Sequence, residues 1–186
     1  MSRFTIQPTP MVGLYELLRH PLGDERGFLE RLFCQETLGS LLSGKSIRQV
    51  NHTLTRKEGA VRGLHFQYPP HAETKIVTCI KGRVWDVAVD LRQGSPTFLQ
   101  HQALVLSEEN LRSFLIPEGF AHGFQTLTPD CEMLYLHTAD YQSGAEGALN
   151  ALDPQLAIAW PQPITERSAR DQKHPMLTQD FLGITL

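Results

Sequence analysis

Four short stretches of the chain carry side chains that can move protons or hold charge. In Val61-Arg-Gly-Leu-His-Phe-Gln67, period-two alternation puts Gly63, His65 and Gln67 on one strand face. A glycine there leaves room for something to approach closely, a ligand being one candidate. A neutral imidazole can take a proton from an acidified carbon near pH 7. A lone strand histidine is more often a hydrogen-bonded structural residue, so His65 acquires chemistry only from its company. Lys75, in Glu73-Thr-Lys75, lies near His65 if the two strands pair, and an inward ammonium needs an anionic partner. The alternative is a solvated lysine at a strand end. In Ile116-Pro-Glu-Gly-Phe-Ala-His-Gly-Phe124, proline and glycines around His122 suggest a tight corner that presents the imidazole inward, or an ordinary turn with a packing histidine. Between Cys131 and Thr138 the odd positions Cys131, Met133, Tyr135 and His137 share a face, where Tyr135 is either a core tyrosine or a placed phenol.

The elements that must position these groups read as strands. The best marked is Arg83 to Arg92, where Trp85, Val87, Val89 and Leu91 point one way and Val84, Asp86, Ala88 and Asp90 the other. Further strands are expected at Leu14–Arg19, Phe28–Cys34, Ile47–Thr55, Val61–Gln67, Lys75–Ile80, Leu99–Leu106, Ser113–Ile116 and Glu132–Thr138. Helical signals are short: Glu36 to Leu42, and Ser168-Ala-Arg-Asp171 with the spacing of a capping box. The pattern is that of an all-β antiparallel sandwich with a few short peripheral helices.

Composition narrows the function. A chain of 186 residues without repeats or long linkers is expected to form a single domain, residues 1–186, around one core. With 41% hydrophobic and 20% charged residues it is too apolar to be disordered. A net charge of −3 and no Lys/Arg run argue against nucleic acid as partner, although a few converging arginines can still bind a small anion. Cys34, Cys79 and Cys131 have neither disulfide-framework nor zinc spacing. No signal-peptide core and no apolar run of ~20 residues is present, so a cytoplasmic location without membrane contact is expected.

Seven segments in order, Gly23–Phe28, Gln49–Asn51, Arg62–Gln67, Lys75–Val77, Asp86–Asp90, Pro117–Phe124 and Ser168–Asp171, resemble the dTDP-4-dehydrorhamnose 3,5-epimerase family, a branch of the cupin superfamily. The resemblance runs from Gly23 to about Pro175 and implies a cupin-type jelly roll. It implies that His65 is the base, oriented by Asp171; that Tyr135 is the proton donor on the other face of the sugar; and that Lys75 meets the enolate oxygen. It assigns Arg26, Glu30, Gln49, Asn51, Arg62, His122, Glu146 and Arg170 to the nucleotide, with Tyr141 stacking on the base. The N-terminal strand region is expected to cross to a partner, so that Arg26 and Glu30 complete the neighbour's site in a homodimer. No cofactor or metal is expected, and the substrate is a nucleotide-linked 4-keto-6-deoxyhexose.

The chemistry suits those residue types. A ketone at C4 acidifies the C–H bonds at C3 and C5, a cation at the enolate oxygen stabilises the transition state, and inversion needs a second acid across the ring. Inversion at C3, at C5 or at both falls within this reading. Val50 and Ala151 depart from the family pattern and bear on sugar or base preference. Two other readings remain. Pro117-x-Gly119-x-x-His122 resembles a metal-binding cupin motif, with His65, His71 and Glu73 in the region of a first one, but Gln67 stands where that motif has a second histidine. A non-catalytic sugar-nucleotide-binding module on the same scaffold is the third.

Overall fold

The computed structural model describes residues 2–186. In chain order the strands are β1 (Phe4–Pro8), β2 (Tyr15–Arg19), β3 (Leu22–Asp24), β4 (Gly27–Leu29), β5 (Gln49–Thr55), β6 (Val61–Gln67), β7 (Lys75–Lys81) and β8 (Arg83–Asp90). They continue as β9 (His101–Ser107), β10 (Arg112–Ile116), β11 (Phe120–Thr126), β12 (Cys131–His137) and β13 (Glu146–Ala148). Two one-turn helices, α1 (Gln35–Leu38) and α2 (Ala169–Gln172), and a 3-10 turn at Gly39–Leu42 complete the elements.

The strands form a two-sheet antiparallel jelly roll. One sheet has the order β1-β2-β10-β7-β12-β5, the other β13-β6-β11-β8-β9, and β3-β4 is a separate hairpin. Alternation in β8 explains the layering. Val84 and Ala88 enter the core between the sheets with Val77, Phe114, Ile116, Phe124 and Met133. Val87 and Val89, on the other side, join Val61, Leu64, Phe66 and Leu156 under a cover of C-terminal chain. The outer face of the six-stranded sheet is closed by Leu38 and Leu42 of the short helical segment against Leu17, Ile76 and Leu115. A sheet buried on both faces explains why β7 and β11 are apolar along most of their length.

Three sequence expectations change. β6 and β7 do not pair: they belong to opposite sheets, so Lys75 approaches His65 across the sandwich rather than along a ladder. His122 lies within β11 and not at a corner; the turn is confined to the residues before Phe120, with Gly119 at φ +79°. Of the strand expected at Phe28–Cys34, only Gly27–Leu29 forms, and β1, β3 and β13 arise where the side-chain pattern is too short to show them.

Candidate active site

The inter-sheet core gives out at one end, where inward positions turn polar and enclose a cavity of about 250 Å³. β6 and β11 of one sheet contribute Arg62, His65 and His122; β5, β7 and β12 of the other contribute Gln49, Asn51, Lys75, Tyr135 and His137.

A bulge aims the β6 side chains. His122 pairs opposite His65 and Phe124 opposite Arg62, so three steps along β6 match two along β11. Strict alternation would put Arg62 on the face away from His65; the extra residue turns Arg62 into the cavity beside His65 and Gln67, while Val61, Leu64 and Phe66 go to the outer core. Gly63 sits at the bulge with φ +121°. A Cβ there would come within 2.6 Å of Gly123 Cα, so the group that approaches this glycine is the β11 backbone, not a ligand.

His65 Nε2 lies 2.8 Å from Asp171 Oδ1. The acid comes from α2, whose start is fixed by the Asp171 N–H donating to Ser168 Oγ at 3.0 Å. Only that half of the capping box forms, because the carboxylate is turned to His65 and, at 3.5 Å, to the Gly63 N–H. Burial acts to raise the Asp171 carboxyl; the hydrogen bond and charge of His65, the Gly63 N–H and the charge of His174 outweigh it and hold the pKa at about 2. With Nε2–H donated to an ionised carboxylate, a neutral His65 keeps its Nδ1 lone pair free to accept a proton. Its side chain is 38% exposed, open to the cavity.

The anionic partner required by an inward lysine is Glu73, 2.9 Å from Lys75 Nζ, with both side chains buried. Glu73 also accepts from His137 Nδ1 at 3.0 Å and from Gln67 Nε2 at 3.4 Å. Burial pushes the Glu73 carboxyl up, but the Lys75 charge and the His137 hydrogen bond bring it down to about 2. Tyr135 stands between two imidazoles, edge-on to His122 and stacked on His137, each at 6.1 Å. Desolvation, then the Asp86 charge, raises its phenol pKa, so the hydroxyl stays protonated as an acid. His122 Nε2 sits 2.9 Å from both oxygens of Asp86, a fully buried carboxyl whose pKa burial raises against the opposing charge of His122.

The remaining expected residues divide. Gln49 accepts the Tyr141 N–H at 3.1 Å, and the Tyr141 hydroxyl donates to Glu146 Oε2 at 2.8 Å. Glu146, in the cavity lining, also pairs with Arg170, which is exposed and outside that lining. Asn51 and Arg62 line the wall. Arg26 and Glu30 stand outside the cavity of their own chain: Arg26 is 89% exposed and paired with Asp24, and Glu30 accepts from buried Arg19 at 2.7 Å. Glu73, His137 and His174 were not assigned to catalysis or substrate binding from sequence. The alternation that placed Tyr135 also placed His137, whereas His174 lies in irregular chain with no periodic signal.

The donors a metal-dependent cupin would use are committed elsewhere, Glu73 to Lys75 and His137, His122 to Asp86. His65, Asp171 and His174 do gather, their donor atoms within 4.8 Å of one another, and they do so as a hydrogen-bonded set. Among the described residues no helix is long and apolar enough to cross a membrane.

Residues 8–179 match the model of the dTDP-4-dehydrorhamnose 3,5-epimerase family. The dTDP-4-dehydrorhamnose 3,5-epimerase of Salmonella typhimurium is 44% identical over 162 residues, covering 86% of this chain and 88% of that protein. The crystal structure of a dTDP-6-deoxy-D-glucose-3,5-epimerase from Legionella pneumophila in complex with dTDP-4-keto-L-rhamnose superposes with a TM-score of 0.87 at 38% identity, covering 93% and 92% of the two chains. A 3'-monoepimerase from Streptomyces bikiniensis in complex with dTDP-quinovose gives 0.81 at 31% identity, covering 91% and 86%. With its sequence matched over nearly its full length and its sheets superposed on solved relatives, the chain belongs to the dTDP-4-dehydrorhamnose 3,5-epimerase family.

Proposed function

We propose that this protein epimerises C3 and C5 of a dTDP-linked 4-keto-6-deoxyhexose, of the dTDP-4-dehydro-6-deoxy-D-glucose to dTDP-4-dehydro-L-rhamnose type, through an enolate. The observation that carries this reading is that base and acid come from opposite sheets: His65 from β6, Tyr135 and Lys75 from β12 and β7. A ring held between them loses a proton to His65 on one face and receives one from the Tyr135 hydroxyl on the other, which inverts the carbon. Asp171 stabilises the imidazolium as it forms. Lys75, fixed by Glu73, meets the negative charge on the C4 oxygen. Solvent then reprotonates the phenolate and takes the proton from His65. No cofactor is needed, because the ketone already acidifies the carbon.

Gln49, Asn51, Arg62, His122, Glu146 and Arg170 hold the nucleotide, and Tyr141, 53% exposed, is the surface on which the base stacks. The working form is a homodimer, each chain folding as one domain. The β3–β4 hairpin exposes Leu22, Phe28 and Leu29 at 55%, 71% and 63%, apolar surface suited to a second copy, and carries Arg26 toward that copy's cavity, with Glu30 just beyond it. A cytoplasmic location is in keeping with a nucleotide-sugar substrate.

NMR in deuterated water with the 4-keto substrate tests this. Wild-type protein exchanges deuterium into C3 and C5, and His65→Ala does not. Exchange at C3 alone would make it a monoepimerase like the Streptomyces bikiniensis neighbour; exchange abolished by a chelator would favour the metal-dependent cupin, and none at all the binding module. Full exchange in the His65 variant would overturn the assignment of the base.

A further inference from the structure

One carboxylate oxygen serves two imidazoles. Asp171 Oδ1 lies 2.8 Å from His65 Nε2 and 3.0 Å from His174 Nε2. The rings are perpendicular with centroids 5.3 Å apart. They differ in setting: the His174 side chain is 10% exposed and lies outside the cavity lining, whereas His65 is 38% exposed and forms part of it.

The groups around the pair are Asp171 and Arg170 on α2, Glu146 on β13 ion-paired with Arg170, His122 opposite His65 on β11, and Arg167, which donates to the Asp171 carbonyl at 2.7 Å. Lys173 is the neighbour of His174 in sequence. Burial, then the charge of His65, lowers the His174 pKa against the pull of Asp171, so near pH 7 His174 is a neutral N–H donor.

Resting on the assignment of His65 as base, we propose that His174 is a positioning residue that shares Asp171 Oδ1 with His65 and so sets how tightly the carboxylate holds the catalytic imidazole. A carboxylate that already accepts one hydrogen bond is a weaker partner for the second donor. With His174 in place, Asp171 holds the protonated imidazole of His65 less tightly than a carboxylate serving one ring would. His174 also limits where the carboxylate can turn, since Oδ1 must lie between two fixed rings.

The test is the pH profile of kcat/KM for wild type, His174→Leu and His174→Gln. Leucine fills the space but removes the donor; glutamine keeps an N–H. In the leucine variant the acid limb moves up by about 0.5 pH unit, a loss of roughly threefold on that limb, while the rate at pH 8 and KM change little. Glutamine restores most of the limb. The same proteins with 15N-labelled histidine give a direct reading: the His65 ring titrates at higher pH once His174 is gone. An unmoved limb, a uniform loss at every pH or an equal shift in both variants overturns the proposal. Should the leucine variant not fold, the wild-type ring titration decides, and a His174 that protonates before His65 as pH falls is the contrary result. His65→Ala in the same assay separates the two levels: retained exchange there defeats the assignment of the base, whereas lost exchange with an unmoved leucine profile defeats only the role of His174.

Discussion

Two histidine–carboxylate pairs stand side by side in this molecule, and they are built for different work. His122 and Asp86 sit on adjacent strands β11 and β8, with side chains 7% and 0% exposed, and the imidazole addresses both carboxylate oxygens at 2.9 Å. His65 and Asp171 come from segments 106 residues apart, and the imidazole faces the cavity. In the buried pair, desolvation raises the carboxyl pKa; in the open pair, hydrogen bonds hold it at about 2. An acid held ionised at neutral pH behind a reachable imidazole is the arrangement that the proposed base requires. The same two groups buried in the cavity wall make a brace, and its loss is paid in stability.

The sharpest break between the pairs is kinetic. His65→Ala should lower solvent-deuterium exchange by about 10³-fold while thermal melting moves little. In stability the ranking reverses. Asp86→Asn breaks the buried hydrogen-bonded contact with His122 and should cost about 3 kcal/mol in urea unfolding, whereas Asp171→Asn, beside a solvent-open imidazole, should cost about 1 kcal/mol and chiefly reduce kcat. Equal losses in the two variants would erase the distinction.

Gly63→Ala probes the bulge between β6 and β11 that lies next to His65 and His122. A Cβ at φ +121° facing Gly123 should cost about 2 kcal/mol, and because Arg62 and His65 share that bulge, KM and kcat should both worsen. A change in stability alone would mean that the bulge shapes the sheet but not the site. The smallest effect is on acid stability. Asp171 and Glu73 have folded pKa values below their unfolded ones, so their contribution is present above about pH 4.5 and is lost as pH falls toward 2. Asp86, raised by burial, has the opposite sign: ionising it costs stability as pH rises through its folded pKa. Unfolding free energy followed from pH 5 to pH 2 should therefore flatten in Asp171→Asn and steepen in Asp86→Asn.

How far the sequence discloses this depends on whether a feature is local. Alternation in β8 and β12 is local, and it correctly grouped Asp86 with Val84 and Ala88, and Tyr135 with His137. The helix start at Ser168 is local too, although the motif says nothing of where the Asp171 carboxylate turns. β11 was hidden because Pro117 and Gly119 read as a turn that extends through Gly123, and only burial on both faces makes the stretch a strand. The facing of β6 and β7 across the sandwich depends on sheet order, which no spacing encodes. The bulge exists because two glycines 60 residues apart in sequence touch, and His174 reaches Asp171 through irregular chain. The segments resembling the epimerase family supplied residues that periodicity alone did not select, Asp171 and Arg170 among them.

The contact between Gly63 and Gly123 also constrains redesign. Gly123 lines the cavity, and a Cβ on it would meet the Arg62 carbonyl oxygen at 2.7 Å. This part of the chamber is largely main chain laid on main chain, with the Leu64 side chain behind it (Cδ2 2.8 Å from such a Cβ), so substitution can deepen it little. A variant meant to accept a bulkier sugar has to gain its space from the walls at β5 and β12, where Asn51, Thr53 and His137 present atoms that can be removed.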